Sequence, residues 1–353
     1  MDIMVLNKNF ESVAIIDSYK SFIWTDRYDE YGDFEIYLPM DSKWFEVLEA
    51  DYYLWLKESE HCMIVEDFKI EADVEEGNHL IVTGRSLESI LDRRVLWGQR
   101  VYSGSLQTAI QSMLNDCIIS PSITERQISN FIFTASNDAK ITALTIDQQY
   151  MGDNLYDVIK ALCEENNIGF KVVLTDDNKF EFSLYAGVDR SYSQTDNPYV
   201  IFSPGFSNII NSNFVSTKST LKNVALVAGE GEGSARKLAT VGTASGIDRR
   251  EYFCDASDIS TETEDGTIAT SEYTKQLQAK GTKELTEHTA TTAFEGEVEA
   301  TRPFTYGEDF FVGDIVQIAN EYGNEGSACI SELVITHDEE GLSIYPTFKT
   351  YTE

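Results

Sequence analysis

Apolar and polar residues alternate in short runs over the first quarter of the chain. In Asp33–Pro39, the residues Phe34, Ile36 and Leu38 fall on one face and those between them fall on the other. A period of two is typical of a half-buried β-strand. Similar runs, separated by turn residues, are Ile3–Leu6, Val13–Asp17, Phe22–Thr25, Tyr52–Lys57, Met63–Ile70 and His79–Thr83. Many short strands with short turns predict a barrel or a curled sheet.

The stretch Leu80–Arg94 passes from a strand pattern to a helix pattern. Leu80 and Val82 alternate with polar residues, and Gly84 is where we expect the backbone to leave the sheet. Ser86 is a candidate N-cap, and the apolar residues after it recur at helical spacing. We therefore expect a helix directly after this strand.

A cluster of cations lies at this turn in an otherwise acidic chain. Its members are Arg85, Arg93, Arg94 and Arg100. One interpretation is a capped helix whose arginines form local ion pairs with Glu88 or Asp92. The other is a subunit interface, because arginine pairs with carboxylates in a planar, bidentate geometry that suits contacts between chains. These four arginines are the predicted interface residues.

The helical signal is strongest in the middle of the chain. Apolar residues recur at i, i+3, i+4 and i+7 in Ser105–Cys117 and again in Leu155–Cys163, a spacing typical of helices buried on one face. Asp153 or Asn154 is the candidate cap of the second helix. Two further apolar runs predict a β-hairpin, Phe170–Leu174 and Phe180–Tyr185.

Strand patterns return in the last part of the chain. The candidate strands are Tyr199–Phe202, Ile209–Val215, Asn223–Val227, Tyr252–Cys254, Ile315–Ile318, Cys329–Thr336 and Leu342–Thr347. A segment rich in Thr, Glu and Lys, Asp255–Ala300, interrupts them. Its middle, Thr270–Thr286, predicts an exposed helix with a thin apolar edge.

These patterns divide the chain into four parts. Residues 1–100 form a first β-rich lobe, and residues 101–198 form a helix-plus-sheet middle domain. Residues 199–254 and 298–353 form a second β-rich lobe, interrupted by an inserted helix-containing segment at residues 255–297. The predicted fold class is β-rich α+β and multidomain.

Composition and charge narrow the classes of function. Hydrophobic residues make up 42% and aromatic residues 12% of the 353 residues, which predicts a globular protein. The formal net charge is −33, from 60 acidic and 27 basic residues. This excludes general nucleic-acid binding, which needs clustered cations. The same charge opposes assembly, so an oligomer must use the few arginines and apolar surface at its contacts.

The cysteines and the chain start indicate where the protein is made. The five cysteines are widely spaced and form no CxxC pair, so we expect buried thiols at Cys62, Cys117, Cys163, Cys254 and Cys329. The start of the chain does not resemble a signal peptide, and no apolar run is long enough to cross a bilayer. We therefore expect synthesis in a cytoplasm.

No motif predicts catalysis, a cofactor or a metal. The glycine-rich loop at residues 229–234 lacks the ending of a phosphate-binding loop and predicts a hairpin. Asp255–Asp265 lacks the spacing of a calcium loop, and chance supplies many acid pairs among 60 acidic residues. The histidines lack ligand spacing, so we expect satisfied or exposed side chains at His61, His79, His288 and His337.

Six stretches carry a further signal through their order and spacing. They are Trp24–Pro39, Leu80–Arg94, Gly187–Gln194, Val200–Ser207 with the following NIINSNF, Lys222–Arg236 and Phe310–Ile318. Together they resemble the tail-tip, or baseplate hub, proteins of long-tailed (siphovirus-like) phages and prophages. The resemblance implies two similar β-barrel domains, a helix-bearing domain between them and an inserted part.

The resemblance also implies a structural role at the tip of a virion tail, after assembly in the host bacterial cytoplasm. Three subunits would form a ring in which two barrels per chain match a sixfold tail tube to a threefold tip. The implied partners are the distal tail protein, the tape measure protein and downstream tail fibre or receptor-binding proteins. An acidic lumen would let DNA pass as cargo without sticking. The alternatives are a peptidoglycan-degrading tail enzyme and a receptor-binding tail protein.

Overall fold

The structure is a computed structural model of the chain. It describes residues 1–73, 77–263, 266–298, 304–323, 325–339 and 341–350.

Strands dominate the described residues. In chain order they are β1 (Ile3–Leu6), β2 (Ser12–Ile16), β3 (Ser21–Arg27), β4 (Asp33–Pro39), β5 (Tyr53–Leu56), β6 (Cys62–Asp73), β7 (Gly77–Ser86), β8 (Arg100–Ser105), β9 (Phe131–Thr134), β10 (Thr145–Tyr150), β11 (Gly169–Leu174), β12 (Phe180–Tyr185), β13 (Ile201–Phe202), β14 (Ile209–Thr217), β15 (Val224–Ala228), β16 (Leu238–Val241), β17 (Glu251–Asp255), β18 (Glu262–Thr263), β19 (Gly266–Thr267), β20 (Thr291–Val298), β21 (Ile315–Ala319), β22 (Glu325–Asp338) and β23 (Gly341–Thr350). The α-helices are α1 (Trp44–Val47), α2 (Leu106–Leu114), α3 (Ala139–Thr142), α4 (Leu155–Glu165) and α5 (Thr270–Glu287).

One large sheet joins the two ends of the chain. Its order is β14-β20-β23-β22-β3-β4-β7-β6-β5-β1-β2, with β21 paired to β22 and β13 paired to β21. The antiparallel contact between β3 and β22 places Trp24 opposite Ile335 and Arg27 opposite Glu332. Residues from both ends share one core, including Ile36, Phe310 and Phe348. The β-rich fold with helices is confirmed, whereas its division into two barrels stays a prediction.

The alternation in β4 is confirmed, because Phe34, Ile36 and Leu38 are all buried. The end of β7 differs from the sequence expectation. Gly84 does not end the strand, since β7 continues to Ser86. A Cβ at Gly84 would lie 1.9 Å from the carbonyl oxygen of Ile64. Glycine is therefore required here by the close approach of β6.

The element after β7 is a 3₁₀ helix, Leu87–Arg93, rather than the expected α-helix. Ser86 precedes it without a side-chain capping bond. Its hydroxyl oxygen instead accepts a hydrogen bond of 2.7 Å from the backbone N–H of Gly32. Ser86 therefore binds the backbone just before β4 and does not cap the 3₁₀ helix.

The two amphipathic stripes form α2 and α4, which pack in the core of the middle domain. Asn154 is the cap of α4, and its side-chain oxygen accepts from the backbone N–H of Tyr156 at 2.8 Å. The stripe around α2 ends in a π-helical turn, Asn115–Ile119. The predicted hairpin is β11–β12, and β9 adds a parallel strand to it.

A separate small unit is built from β15, β16, β17 and α5. The strands form their own sheet in the order β16-β15-β17, and its core includes Val227, Cys254 and Leu277. A Cβ at Gly281 would lie 2.4 Å from Cγ2 of Val227, so α5 lies close against this sheet. We call β15–β17 with α5, residues 224–287, the inserted unit.

The inserted unit differs at both ends from the insertion that the sequence predicts at residues 255–297. The sequence pattern assigns Asn223–Val227 and Tyr252–Cys254 to the second β-rich lobe, but in the structure β15 and β17 pair with each other in parallel and not with the large sheet. Conversely, β20 starts within the predicted insertion but pairs with β14 and β23 in the large sheet. The loop at residues 229–234 lies in the predicted hairpin, since β15 and β16 are antiparallel neighbours.

Candidate assembly surfaces and a buried charge network

Arg85 is held by local partners. Its Nε and Nη2 donate to the two carboxylate oxygens of Glu66 at 2.8 and 2.9 Å, and its Nη1 donates to Asp92 at 3.0 Å. The guanidinium also lies 5.0 Å from the ring centroid of Tyr31. The hydrogen bond to Glu66 is the main reason that the pKa of Arg85 is raised. Of the two partners that the first interpretation names, Arg85 pairs with Asp92 but not with Glu88, which lies against His61, and Glu66 is an additional local partner.

Arg93 and Arg100 also have local carboxylate partners, but on the surface. Arg93 lies 3.6 Å from Asp51, and Arg100 pairs with Asp116. All four side chains are well exposed. Exposed pairs of this kind contribute only about 0–1 kcal/mol, so both arginines could exchange partners at low energetic cost.

Arg94 is the exception among the four arginines. Its guanidinium donates only to backbone carbonyl oxygens, those of Arg93 and Arg126, each at 3.0 Å. Its Nε is buried without a hydrogen-bond partner. Burial, together with the nearby Arg126 and Arg93, lowers the pKa of Arg94. Arg94 is therefore a cation whose charge is not neutralised by a carboxylate of the described residues.

An exposed aromatic and cationic patch lies beside Arg94. Arg126 stacks over the ring of Trp97 at 4.7 Å and donates to the carbonyl of Val95 at 2.7 Å. Trp97 is 60% exposed and Met151 is 66% exposed. The backbone N–H of Gly152 bonds the carbonyl of Leu96, which places Met151 in the neighbouring turn. We call Val95, Trp97, Arg126 and Met151 the Trp97 patch.

Sequence reasoning did not find the Trp97 patch. Tryptophan is often buried, and nothing local in the sequence indicates that this indole is exposed. Arg126 is 29 residues from Trp97 along the chain, so its stacking depends on the tertiary fold. Arginine and tryptophan are enriched in the energetically important centres of protein interfaces.

A buried charge network lies between the first β-rich part of the chain and β11 of the middle domain. Nδ1 of His61 lies 3.1 Å from Oε1 of Glu88, which also accepts from the backbone N–H of Val172 at 2.7 Å. Ser59 donates its hydroxyl to both carboxylate oxygens of Asp26 at 2.9 Å. We call Asp26, Ser59, His61 and Glu88 the buried charge network.

Burial and mutual charge set the pKa values within this network. Burial alone would lower the pKa of His61, but Glu88 and Asp26 raise it to about 9. Burial would raise the pKa of Glu88, but the attraction of His61 lowers it overall. The pKa of Asp26 is raised, chiefly by burial. His61 and Glu88 therefore form a buried ion pair at neutral pH.

The network has the residue types of a hydrolase site but not the geometry. Ser59 donates to Asp26 rather than to an imidazole nitrogen, and Nδ1 of His61 faces Glu88. Ser59, His61 and Glu88 are all buried. The network instead connects β3, the 3₁₀ helix and β11, and Tyr306 adds a contact of 3.4 Å from its hydroxyl to Asp26. Its buried hydrogen bonds and ion pair hold these segments of the chain together.

The other histidines have aromatic neighbours. His79 stacks on Tyr37 at 4.6 Å. It is buried, and its Nδ1 has no hydrogen-bond partner among the described residues, so the expectation of a satisfied or exposed side chain is wrong for His79. Nδ1 of His337 lies 3.2 Å from the hydroxyl of Tyr19. The ring of His288 lies 4.5 Å from that of Tyr252. All five cysteines are free, and Cys329 differs from the prediction in being only partly buried.

One cluster of acids has the spacing of a metal site within the described residues. Asp29, Glu30 and Glu164 place their oxygens within 4.8 Å of one another. Lys160 lies 2.7 Å from Glu30, and Lys349 lies 3.8 Å from Asp29 and 3.9 Å from Glu164. The two ammonium groups already neutralise much of this charge, so the cluster is an ion-pair network. None of the helices in the described part of the chain could cross a membrane.

Comparison with known families identifies the chain. Residues 2–348 match the family described as Siphovirus ReqiPepy6 Gp37-like protein. The chain belongs to this family of siphovirus tail proteins. The resemblance seen in the sequence is therefore confirmed. A search of curated proteins finds no significant match.

Solved structures with a similar fold include two tail proteins and a chain of a PdpA–VgrG complex. Prophage tail protein gp18 of Listeria monocytogenes EGD-e aligns over 100% of this chain and 96% of its own, with a TM-score of 0.57 and 13% identity. The tail protein of Neisseria meningitidis MC58 aligns over 99% and 96%, with a TM-score of 0.60 and 11% identity. A Francisella PdpA–VgrG complex contains a chain that aligns over 99% of this chain and 57% of its own, with a TM-score of 0.52 and 12% identity. At such identities the likeness concerns the fold.

Proposed function

We propose that this tail protein is the structural hub of the tail tip or baseplate, and that three copies close the distal end of the tail tube as a ring. The supporting observation is the likeness to two tail proteins, one of them from a prophage, over nearly the whole length of both chains. Family membership supports a place in the virion tail. The position at the tip belongs to the proposal.

The large sheet suggests how one chain could serve two positions of a sixfold tube. We propose that β1–β7 and the group β13, β14 and β20–β23 are the two barrel-like lobes, which meet where β3 pairs with β22. Three chains would then present six such lobes to the tube and three inserted units around them. Closed point-group symmetry of this kind is usual for soluble homo-oligomers.

The proposed contacts between subunits use arginines that have no buried ion pair among the described residues. Each chain carries a formal charge of −33, so three chains repel one another unless cations lie at the contacts. Arg94, together with the surface-paired Arg93 and Arg100, is the candidate contact to a neighbouring subunit. Arg85 remains in the proposed set, but its three hydrogen bonds to Glu66 and Asp92 favour a role within the protomer.

The proposed partners follow from this position. They are the distal tail protein and the tape measure protein above the ring, and tail fibre or receptor-binding proteins below it. DNA would pass through the lumen as cargo, with the acidic surface preventing adhesion. A chain with a similar fold occurs in a PdpA–VgrG complex, which supports a hub that carries other components.

Antibody labelling of intact tails tests the position. Gold-labelled antibodies against this chain should bind one end of each tail, the end distal to the head, in electron micrographs. Labelling along the tube, or in fractions without tails, would contradict the proposal.

We propose no catalytic role, because the buried charge network is closed and its serine is not paired with a histidine. The alternatives of a peptidoglycan-degrading enzyme and a receptor-binding protein have separate assays. Clearing of a peptidoglycan zymogram by the purified chain would replace the hub with the enzyme. Binding of the isolated chain to host cells, without assembly into a ring, would replace it with the receptor-binding protein.

A further inference from the structure

A polar cleft lies between the inserted unit and the middle domain. Its volume is about 290 Å³. One wall is β10 and the turn after it, and the other wall is α5 with the loop after β17. The lining residues are Gln148, Gln149, Tyr150, Met151, Asp153, Asp258, Ile259, Gln276, Lys280, Lys283 and Glu284.

Helix α5 has one face that packs on the sheet of the inserted unit and another face that lines the cleft. Tyr273, Leu277 and Gly281 pack on the sheet of the inserted unit. Gln276, Lys280 and Lys283 line the cleft on another face of the helix. The sequence predicted only the thin apolar edge. A polar face that is covered by a second domain cannot be told from an exposed one by its pattern.

Gln276 has a buried side-chain amide without a hydrogen-bond partner among the described residues. It is only 2% exposed, and neither Nε2 nor Oε1 has a hydrogen-bond partner in the described part of the chain. Oε1 of Gln149, on the opposite wall, is also buried without a partner among those residues. Buried polar groups are nearly always hydrogen-bonded, because leaving one unpaired is costly. The cleft therefore offers one amide donor and two amide acceptors.

Both amides belong to residues that line the cleft. Among the nine buried side-chain atoms without a partner in the described part of the chain, three are Gln149 Oε1, Gln276 Nε2 and Gln276 Oε1. Amide atoms on opposite walls of one cleft therefore lack a hydrogen-bond partner within the described residues.

The charged groups of the cleft already have partners. Lys280 lies 2.6 Å from Asp258, and Glu284 accepts from the hydroxyl of Tyr252 at 2.9 Å. Asp153 accepts from the backbone N–H of Met151 at 2.8 Å. The remaining cation, Lys283, faces the carboxyl group of Glu165. An anionic ligand would have to compete with these carboxylates for the two lysines, whereas a neutral ligand would not.

We propose that this cleft binds a neutral saccharide. A hydroxyl group both donates and accepts, so neighbouring hydroxyls of a sugar ring match the amide of Gln276 and the carbonyl oxygen of Gln149. Tyr150 supplies an aromatic wall, and the volume is near the lower end of the range for ligand pockets, roughly 300 Å³. The compact shape fits one or two sugar rings. The site lies outside the β-rich lobes and does not depend on formation of a ring.

Saturation-transfer NMR on the full chain tests the proposal. The probes are glucose, galactose, N-acetylglucosamine and maltose, with glucuronate, glucosamine and triglycine as comparisons. At least one neutral saccharide should bind with a dissociation constant on the order of 1 mM, as expected for a ligand of this size. Binding should shift backbone resonances of residues 148–151 and 276–284.

Two matched variants locate the site. Gln276→Leu removes both amide atoms at nearly the same volume and should weaken saccharide binding at least about tenfold. It should also leave the melting temperature equal or higher, because it removes two unpaired buried atoms. Gln278→Leu alters an exposed residue of the same helix and should leave binding unchanged.

Four results would overturn the proposal. They are the absence of binding by every neutral saccharide, binding only by the charged or peptide probes, binding that survives Gln276→Leu, and unfolding of the Gln276→Leu protein. The last result would mean that the amide is already used within the folded chain. None of these results bears on the mass of the assembly, so the hub proposal is tested separately.

Discussion

At the scale of single residues, Arg94 and His61 carry the strongest electrostatic consequences. Both are cations in confined surroundings, but only His61 has a carboxylate against it. A buried charge is tolerated when it is paired, and it is costly when its partner is removed. The His61–Glu88 pair should therefore govern the stability of the protomer, and Arg94 should govern its contacts.

The stability of the protomer should fall as the pH rises through the range in which His61 titrates. The pKa of His61 is raised from 6.5 to about 9 in the folded state. Its contribution is therefore fully present below pH 6.5 and lost as the pH rises through about 9. A shift of this size corresponds to about 3 kcal/mol. Urea unfolding at a series of pH values measures it.

The variant His61→Gln should reduce this loss between pH 6.5 and 9. The control Gln278→Leu changes an exposed side chain that does not titrate and should keep the wild-type slope. An unchanged slope in His61→Gln would show that other groups cause the dependence.

The variant Arg94→Glu should weaken assembly roughly tenfold or more, because it replaces an unneutralised cation by one further acid in a strongly acidic chain. Arg85→Met should destabilise the protomer by about 1 kcal/mol, since it removes a partly exposed pair with Glu66. It should leave the assembled mass unchanged. Analytical ultracentrifugation over a concentration series measures the assembled mass of both variants. Urea unfolding measures the loss of stability in Arg85→Met. If Arg94→Glu lowers only the melting temperature, the arginines act within the protomer.

At the scale of elements, local periodicity predicted what is locally determined. The stripes of α2 and α4 and the alternation of β4 are long enough to show their period. Gly84 and Ser86 were recognised as special, but their roles depend on β6 and on Gly32, which are distant in sequence. The parallel pairing of β15 with β17 likewise leaves no local signal. The sequence pattern therefore starts the insertion at residue 255, whereas the inserted unit begins with β15 at Val224.

The same limit applies to the candidate sites. The four arginines could be selected from the sequence, because clustered cations are rare in this chain. The stacking of Arg126 on Trp97 could not, since it joins separate segments. Nor could the cleft around Gln276, because its two walls are more than 100 residues apart.

The variant Gly84→Ala tests the close approach of β6 and β7. The added methyl group would lie 1.9 Å from the carbonyl oxygen of Ile64, so the strands must separate. We expect a loss of about 3 kcal/mol or more in the free energy of unfolding, measured by denaturant titration. The control is Gly326→Ala in β22, where a Cβ would meet nothing within 4 Å. Equal stability of the two variants would contradict the account of Gly84.

At the scale of the whole molecule, a continuous sheet and a common core bind the two ends of the chain into one body. The buried charge network then connects this body to the middle domain through β11. The two ends of the chain and the middle domain are therefore joined by one core and one buried ion pair. The net charge of −33 makes association sensitive to salt, because screening weakens repulsion between acidic subunits.

The proposed trimeric hub is tested by the mass of the purified chain in solution, taken with electron micrographs of the same sample. The expected particle has about three times the chain mass of 39.7 kDa and is seen as a ring with threefold symmetry. Physiological or higher salt should favour this particle. A particle that stays at the mass of one chain over all concentrations, even with tail partner proteins added, would contradict the trimeric hub.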